Sequence, residues 1–322
     1  MVMIVVMYDI IAIGEILVDI LTEKLNQEFS VPGTLFGPYP SGAPAIAIDQ
    51  AASMGAKTAI IAKIGLDDFG LLNKTRLRND GVDVSHIIET KDNSTGAAFV
   101  TYFSDGSRKY VFHFTHAACG ELSPGDIHED LIKNTKYIHI NGCSITGSPS
   151  MGEAIMKAVR LAKKHGVKIS FDPNIRPELY KGHIMDFYTE IIDAADILLT
   201  GKTELAFLYT DPESSIKKFL QEKDRIVVIK DGGKETSVYT RQETFKIDPF
   251  PAVIVDSTGA GDSFDGAFLA LLCRGLDIRT AAVYGNAAGA KAVTKRGPME
   301  GNSSRSELDE FVRQNPHITA YS

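Results

Sequence analysis

The run Asp256-Ser257-Thr258-Gly259-Ala260-Gly261-Asp262-Ser263-Phe264-Asp265-Gly266-Ala267-Phe268 restricts the chain more than any other part of it. It lies between a short β-rich segment and an apolar helical pattern from Gly261 to about Cys273. Three small residues, Gly259, Ala260 and Gly261, stand where a loop turns into a helix, so several main-chain N–H groups can point at one spot unobstructed. The helix dipole and the unpaired first-turn N–H groups make that spot attractive to an anion. Asp262 is then the odd choice, because a carboxylate repels the ligand that the loop attracts. It makes sense as a general base that takes a proton from a hydroxyl while the adjacent amides stabilise a phosphoryl group in in-line transfer.

An ordinary capped helix start, with Asp262 merely complementing the dipole, is the better account of four residues in isolation. Two familiar nucleotide motifs do not fit. A dinucleotide loop needs a third glycine where this chain has Phe264, which blocks close approach of helix and strand. Gly201-Lys202-Thr203 looks like the tail of a Walker loop, yet the glycine required five residues earlier is Asp196.

The longer string Asp-x-Thr-Gly-Ala-Gly-Asp, followed by Ser-Phe and a small-residue helix, resembles the second signature of the PfkB (ribokinase-like) carbohydrate kinases. The resemblance implies an α/β fold: a ribokinase-like α/β/α sandwich with a mostly parallel central sheet and a small β-sheet lid. It implies ATP-dependent transfer of a γ-phosphoryl group to a sugar hydroxyl. Asp262 would be the base, and the amides of Gly259, Ala260 and Gly261 the anion hole. ATP and Mg²⁺ are the implied cofactors. Asp256 and Thr258 match positions that in several relatives help bind a monovalent cation such as K⁺.

A chain of 322 residues with 44% hydrophobic content can build a substantial core. We expect one ribokinase-like domain over 1–322, its lid formed by segments at about 15–41 and 94–116. The net charge of -7 argues against a nucleic-acid or anionic-membrane partner, which clustered Lys and Arg would meet. Cys119, Cys143 and Cys273 are widely spaced and lack a Cys-x-x-Cys, so they read as reduced thiols in or near the core of a cytoplasmic protein. The apolar run Met1 to Met7 has no basic leader or small-residue cleavage site, and Asp9 interrupts it before membrane-spanning length; Met7 is an alternative start.

Ile10 to Gly14 reads as a buried parallel strand. Ile16 to Leu21 is ambiguous, and the Pro- and Gly-rich stretch behind it suits a strand-and-turn excursion better than a helix. Asp19 is the polar residue there, an outward-facing side chain by default; in the resemblance, Gly14-Glu15-x-x-x-Asp19 puts it against sugar hydroxyls. Ser41-Gly42-Ala43-Pro44-Ala45 leads into a helix and resembles the family's first signature, which makes Gly42 and Ala43 sugar neighbours. Ile46 stands where the family usually has Asn. Asp49 and Gln50 are also unusual in that helix.

Thr95 to Tyr102 and Arg108 to Phe114 form two β runs joined by the turn Ser104-Asp105-Gly106-Ser107. Arg108 and Lys109 at the turn are expected to be solvated. His113 and His116 face opposite ways on a strand, which argues against a metal. Tyr137 to Ile140, Met151 to Lys164 and Val167 to Phe171 make a βαβ unit. Asp172-Pro173-Asn174-Ile175-Arg176-Pro177 follows, at the strand end where α/β sheets collect ligands. As a plain turn it needs no function. With Leu179 and Tyr180 it resembles fructokinases, and Arg176 would then stabilise phosphoryl charge while Asn174 meets the substrate.

Glu204 opens a helix where the family has Asn-x-x-Glu; Gly201 replaces the Asn. Glu204 is either a Mg²⁺ partner acting through water or a first-turn carboxylate. Lys230-Asp231-Gly232-Gly233 resembles the family's Lys-x-Gly nucleotide loop, with Lys230 and Gly232 as phosphate neighbours and Glu235 in place of a further glycine. Asn286 matches a position near the adenine, or is a satisfied polar residue on a helix face. The expected acceptor is a ketohexose-like sugar of the fructose or tagatose type. Alternatives are a 2-keto-3-deoxygluconate or nucleoside kinase on the same fold, and a sugar or nucleotide sensor without turnover. The partners are thus a small-molecule sugar and ATP, and the exposed edges of such a lid offer a route to a homodimer.

Overall fold

The computed structural model describes residues 7–179, 184–221 and 224–319. Residues 1–6 of the opening apolar run, Tyr180 of the fructokinase-like string and the last three residues lie outside them. The described strands are β1 (Tyr8–Ile13), β2 (Leu17–Thr22), β3 (Leu35–Ser41), β4 (Thr58–Gly65), β5 (Ile87–Thr90), β6 (Gly96–Tyr102), β7 (Arg108–His113), β8 (Thr135–Asn141), β9 (Lys168–Asp172), β10 (Ile197–Gly201), β11 (Ile226–Lys230), β12 (Thr236–Tyr239) and β13 (Thr244–Ile247). They form a nine-stranded sheet in the order β13-β12-β11-β10-β9-β8-β1-β4-β5 and a separate four-stranded sheet in the order β3-β2-β6-β7. In the large sheet the run from β5 to β11 is parallel and β12 opposes both its neighbours.

A parallel sheet buried on both faces needs strands that are apolar at consecutive positions. β1 meets that need: Ile10 and Ala12 enter one apolar cluster, Ile11 and Ile13 the other. The first cluster includes the helices Ala43–Ser53, Ala260–Cys273 and Ile278–Ala292, the second the helices Pro149–His165 and Ile184–Ala194. Each fully buried Ile or Phe contributes about 1.5–3 kcal/mol. The crossover helix Pro149–His165 begins where the Ser148 side chain accepts the Met151 N–H and ends at Gly166, whose φ is 67°. Lys163, Lys164 and His165 in its last turn complement the dipole.

The ambiguous run after β1 is a strand: β2 pairs in parallel with β6 and antiparallel with β3. Its partners come from the Pro-rich stretch and from the hairpin β6–β7, so the small sheet is built from segments far apart in sequence. β3 and β7 are its edges.

Candidate active site

Neighbouring parallel strands end on one edge of the large sheet and carry polar residues there. Glu15 follows β1, Asn141 ends β8, Asp172 ends β9, Gly201 ends β10 and Lys230 ends β11. Strand order reverses here, since β1 is flanked by β4 on one side and β8 on the other, and such a point opens a crevice. The small sheet covers it. Between them lies a cleft of about 410 Å³ whose walls include Asp262, Asn174, Arg176, Asp19 and Glu204. A wider groove of about 1270 Å³ lies along β11–β13. Several of its charged side chains are ion-paired with one another and it contains none of these groups, so the convergent chemistry sits in the smaller cleft.

Asp262 lies in the first turn of the helix Ala260–Cys273 and is buried. Its Oδ1 accepts from Asn174 Nδ2 at 3.1 Å and from Asn141 Nδ2 at 3.3 Å. Asn174 takes a left-handed φ of 38°, which Asn tolerates better than most residues, and its N–H is held by Asp172 Oδ1 at 2.9 Å. Burial, with Asp172 nearby, pushes Asp262 up to about 7, while Lys230 and Arg176 favour its ionised form. Gly259 caps the helix at a φ of 79°, and a Cβ there would lie 2.4 Å from the carbonyl oxygen of Pro298. Only glycine permits that turn.

Lys230 lines the cleft and is held there by two acids. Its Nζ lies 3.0 Å from Asp172 Oδ2 and 2.8 Å from Asp265 Oδ1, close beneath Gly261. Burial opposes its charge and the two carboxylates outweigh it. One cation cannot neutralise both acids, so Asp172 stays ionised, its pKa lowered against burial by Lys230, while burial raises Asp265 well above the usual carboxylate range. Lys230 and Gly232 both line the cleft, with the Lys230 ammonium held between the two carboxylates.

Asp19 is buried on the small sheet, where burial pushes it to about 7, against the Ser41 hydroxyl and the guanidinium groups of Arg108 and Arg176. Arg108 is not a solvated turn residue. Alternate residues Arg108, Tyr110 and Phe112 of β7 are half-buried while those between are exposed, so this stripe faces the cleft. Tyr110 stacks on Phe112 at a centroid distance of 5.2 Å. Arg108 and Arg176 lie 5.9 and 5.7 Å from the Tyr110 ring centre. Lys109, on the other face, pairs with Glu28 at 3.0 Å, as a solvated residue should.

Gly42 and Ala43 border the cleft, and Ala43 donates to Glu15 Oε1 at 3.1 Å. Glu15 also accepts from Ser144 Oγ, tying the loop after β8 to the first helix. Glu204 lines the cleft with each carboxylate oxygen accepting one main-chain N–H, from Ile175 at 3.0 Å and Gly201 at 2.7 Å. Burial raises its pKa, assisted by Asp172. Asp256 is buried at the foot of the loop that leads into the helix Ala260–Cys273. Its Oδ1 accepts from Tyr102 Oη at 2.7 Å and from the Thr258 N–H at 2.9 Å, and its Oδ2 accepts from the Gly297 N–H at 3.0 Å. Thr258 Oγ1 lies 3.0 Å from the same Tyr102 hydroxyl. These contacts fasten the loop to the small sheet. Asn286 is not brought into the cleft: Thr236 donates to its Oδ1 at 2.7 Å and its Nδ2 donates to the Asp248 carbonyl at 3.2 Å. Asn141, Glu15, Asp172 and Tyr110 had not been singled out as site residues, nor had Arg108, which was expected in solvent. The first is a polar end to an apolar strand and the last two share a period-2 stripe, signals that were present but weak. All three cysteines are free thiols, Cys119 and Cys143 buried and Cys273 partly so. Among the described residues no helix is long and apolar enough to cross a membrane.

Comparison with known proteins agrees with this geometry. The profile described as pfkB family carbohydrate kinase matches residues 7–305. A 5-dehydro-2-deoxygluconokinase of Bacillus licheniformis is 31% identical over 313 residues, covering 95% of this chain and 96% of the relative. Probable fructokinase-5 of Arabidopsis thaliana is 31% identical over 316 residues, covering 94% and 97%. A protein described as a candidate ribokinase II from E. coli, solved with ATP and Mg²⁺, superposes with a TM-score of 0.88 at 41% identity and covers 95% of this chain and 99% of its own. The chain belongs to the pfkB family of carbohydrate kinases.

Proposed function

We propose that this kinase transfers the γ-phosphoryl group of MgATP to a hydroxyl of a small keto-sugar. The observation that carries the reading is the placement of Asp262: a buried carboxylate whose pKa stands near 7, on the first turn of a glycine-capped helix, at the wall of a cleft. In its ionised form Asp262 takes the proton of the acceptor hydroxyl as that oxygen bonds to the γ-phosphorus and the bond to the ADP oxygen breaks. The amides of Gly259, Ala260 and Gly261 and the guanidinium of Arg176 meet the charge on the transferred group. Asn141 and Asn174 keep the carboxylate aimed, while Asp19 and Asn174 orient the acceptor. Gly42 and Ala43 line its pocket.

Mg²⁺ arrives as part of the substrate MgATP. Glu204 Oε1 accepts one N–H, keeps a spare lone pair and suits a water on that ion, while its Oε2 accepts from the Gly201 N–H and the Thr200 hydroxyl. The small sheet acts as a lid that excludes water from the phosphoryl group. Relatives are named as kinases of a dehydrodeoxygluconate and of fructose, which supports a keto-sugar acceptor of the fructose, tagatose or keto-deoxygluconate kind. Of the three departures that motivated a sensor without turnover, Glu235 pairs with Lys246 outside the cleft, and Gly201 and Ile46 border it without displacing Asp262. Free thiols and an ATP-dependent reaction favour the cytoplasm.

The test is a coupled ADP-release assay over a panel of sugars. Sugar-dependent ADP release that disappears in Asp262→Asn supports the reading, and no release with any sugar removes it. A homodimer through the β3 or β7 edge is part of the same proposal. Light scattering that finds only monomer at working concentration would remove that part.

A further inference from the structure

We propose that Asp172 is a positioning residue for the base: through Asn174 it holds Oδ1 of Asp262 in place and leaves Oδ2 to meet the acceptor hydroxyl; this rests on the kinase reading above. Both amide donors on Asp262, Asn141 Nδ2 and Asn174 Nδ2, converge on Oδ1. Oδ2 has no hydrogen-bond partner among the described residues and is not sealed from solvent, so it opens to the cleft that Asp262 lines. Asn174 donates from a left-handed turn, and the Asp172 carboxylate holds that turn by accepting the Asn174 N–H at 2.9 Å.

The contacts close a ring. Lys230 bridges Asp172 Oδ2 and Asp265 Oδ1, and Asp265 stands three positions after Asp262 on the same helix, hence on the same face. The ends of β9 and β11 therefore grip the start of that helix at two points, one through Asn174 and one through Lys230. Lys230 also keeps Asp172 ionised, and an ionised carboxylate is the stronger acceptor for the Asn174 N–H. The charge reaches the base as well. Around Asp262, Asp172 at the end of β9 and Glu15 after β1 oppose its ionisation, Lys230 and Arg176 favour it, and the nearby Cys143 thiol stays neutral. A carboxylate that resists ionisation binds a proton more tightly, so Asp172 both aims Oδ2 and strengthens it as a base.

The experiment measures kcat and KM in the ADP-release assay from about pH 5 to pH 9, with the sugar of the panel that wild-type protein turns over best. Asp172→Ala removes the acceptor of the Asn174 N–H while Lys230 keeps Asp265, and kcat should fall about 30-fold with the KM for ATP unmoved. Asn174→Gly keeps the turn and loses the donor, with a similar fall in kcat and an acidic limb moved to higher pH. Because Asp172 acts through Asn174, the double variant should be slower than Asn174→Gly by less than about threefold. Asp172→Asn keeps an oxygen for the N–H but not the charge, so the acidic limb of kcat/KM should move down by about one pH unit. The titration of ATP is common to all these proteins and cancels in the comparison. Melting curves check that the variants fold; should Asp172→Ala not fold, the limb of Asp172→Asn decides. Losses that multiply in the double variant, a wild-type kcat in Asp172→Ala, or an Asp172→Asn limb that stays in place or moves up would overturn the inference and leave the kinase reading standing. No sugar-dependent ADP release from wild-type protein would remove the kinase reading, and the inference with it.

Discussion

Tyr102, at the end of β6 in the small sheet, donates its hydroxyl to Asp256 across 2.7 Å, and so joins that sheet to the loop that leads into the amides of Gly259, Ala260 and Gly261. The same carboxylate accepts the N–H groups of Thr258 and Gly297. One buried acid thus fixes the lid and the start of the helix Ala260–Cys273 together. Burial pushes the Tyr102 phenol far above its ordinary range, and the neighbouring Asp256 adds to the effect, so the hydroxyl keeps its proton and stays a donor.

Tyr102→Phe removes the donor and keeps the ring. A hydrogen bond to a charged group contributes about 1.5–3 kcal/mol, so a tenfold or greater rise in the sugar KM is expected, with about the same loss of lid closure. ATP hydrolysis without sugar should rise as water gains access to the phosphate. Steady-state kinetics with and without sugar read both quantities. An unchanged KM together with an unchanged background rate would show that the lid closes without this link.

Asp262→Asn removes the proposed base but preserves shape, and kcat should fall by about 10³-fold with ATP binding intact by calorimetry. The pH profile gives an independent check. The working form is the ionised one and its pKa stands near 7, so kcat/KM should fall tenfold per pH unit below that value and level off above it. Arg176 favours the ionised form, hence Arg176→Gln should move the acidic limb to higher pH as well as lowering the rate. A limb that stays in place in this variant would detach Arg176 from Asp262.

The Asp172–Lys230–Asp265 cluster makes a stability prediction of defined sign. Lys230→Met leaves two buried acids without a cation and should cost about 3–5 kcal/mol. Asp265→Asn behaves differently. Its folded pKa is raised, so the stability this group contributes is complete at pH values below its unfolded pKa of about 4 and is lost as pH rises toward the folded value. The asparagine has no such dependence. Thermal melts should therefore show Asp265→Asn gaining on wild type between pH 5 and pH 8, about the range in which the unfolded carboxyl is ionised. A gain that shrinks with rising pH would mean that Asp265 is ionised in the folded protein.

The helical start at Gly259–Asp262 was legible because its chemistry is local: small residues, a dipole and a carboxylate lie within four consecutive positions. Strand-end positions such as Asn174 and Arg176 were legible for a related reason, since an apolar strand that stops at Asp-Pro declares its ligand edge. Arg108 was misjudged as a solvated turn residue because period 2 shows that it shares a face with Tyr110 but not which face meets the cleft; that depends on β6 pairing with β2, nearly eighty residues away. Asn141 was overlooked because one polar residue after Ile138-His139-Ile140 acquires meaning only when β8 lies beside β1 and β9. The ion pair of Lys230 was not legible, because the strand it ends gives no sign that Asp265, on a helix thirty-five positions later, would lie 2.8 Å from its ammonium. Asn286 was balanced between adenine and a structural bond, and the bonds it makes run to Thr236 and the end of β13.

Gly266 connects the packing of the fold to the position of Asp262. It lies one turn along the same helix, where the helix Ala43–Ser53 crosses so closely that a Cβ would stand 2.1 Å from the Ala47 carbonyl oxygen and 3.0 Å from the Ala51 nitrogen. Both contacts are to backbone, so no side chain can swing away, and Gly266→Ala has to push two helices apart. Alanine's better helix propensity returns about 0.5–1 kcal/mol, which the overpacking cost of about 1–3 kcal/mol exceeds. The melting temperature should drop by about 2–6 °C. Gly233→Ala is the control, because a Cβ there meets nothing within 4 Å and its melting temperature should hold. Displacing the helix moves Asp262 with it, so kcat should fall in Gly266→Ala beyond what partial unfolding at the assay temperature explains. A variant that melts like wild type would mean that the two helices slide apart without cost, and that the tight crossing does not set where the base stands.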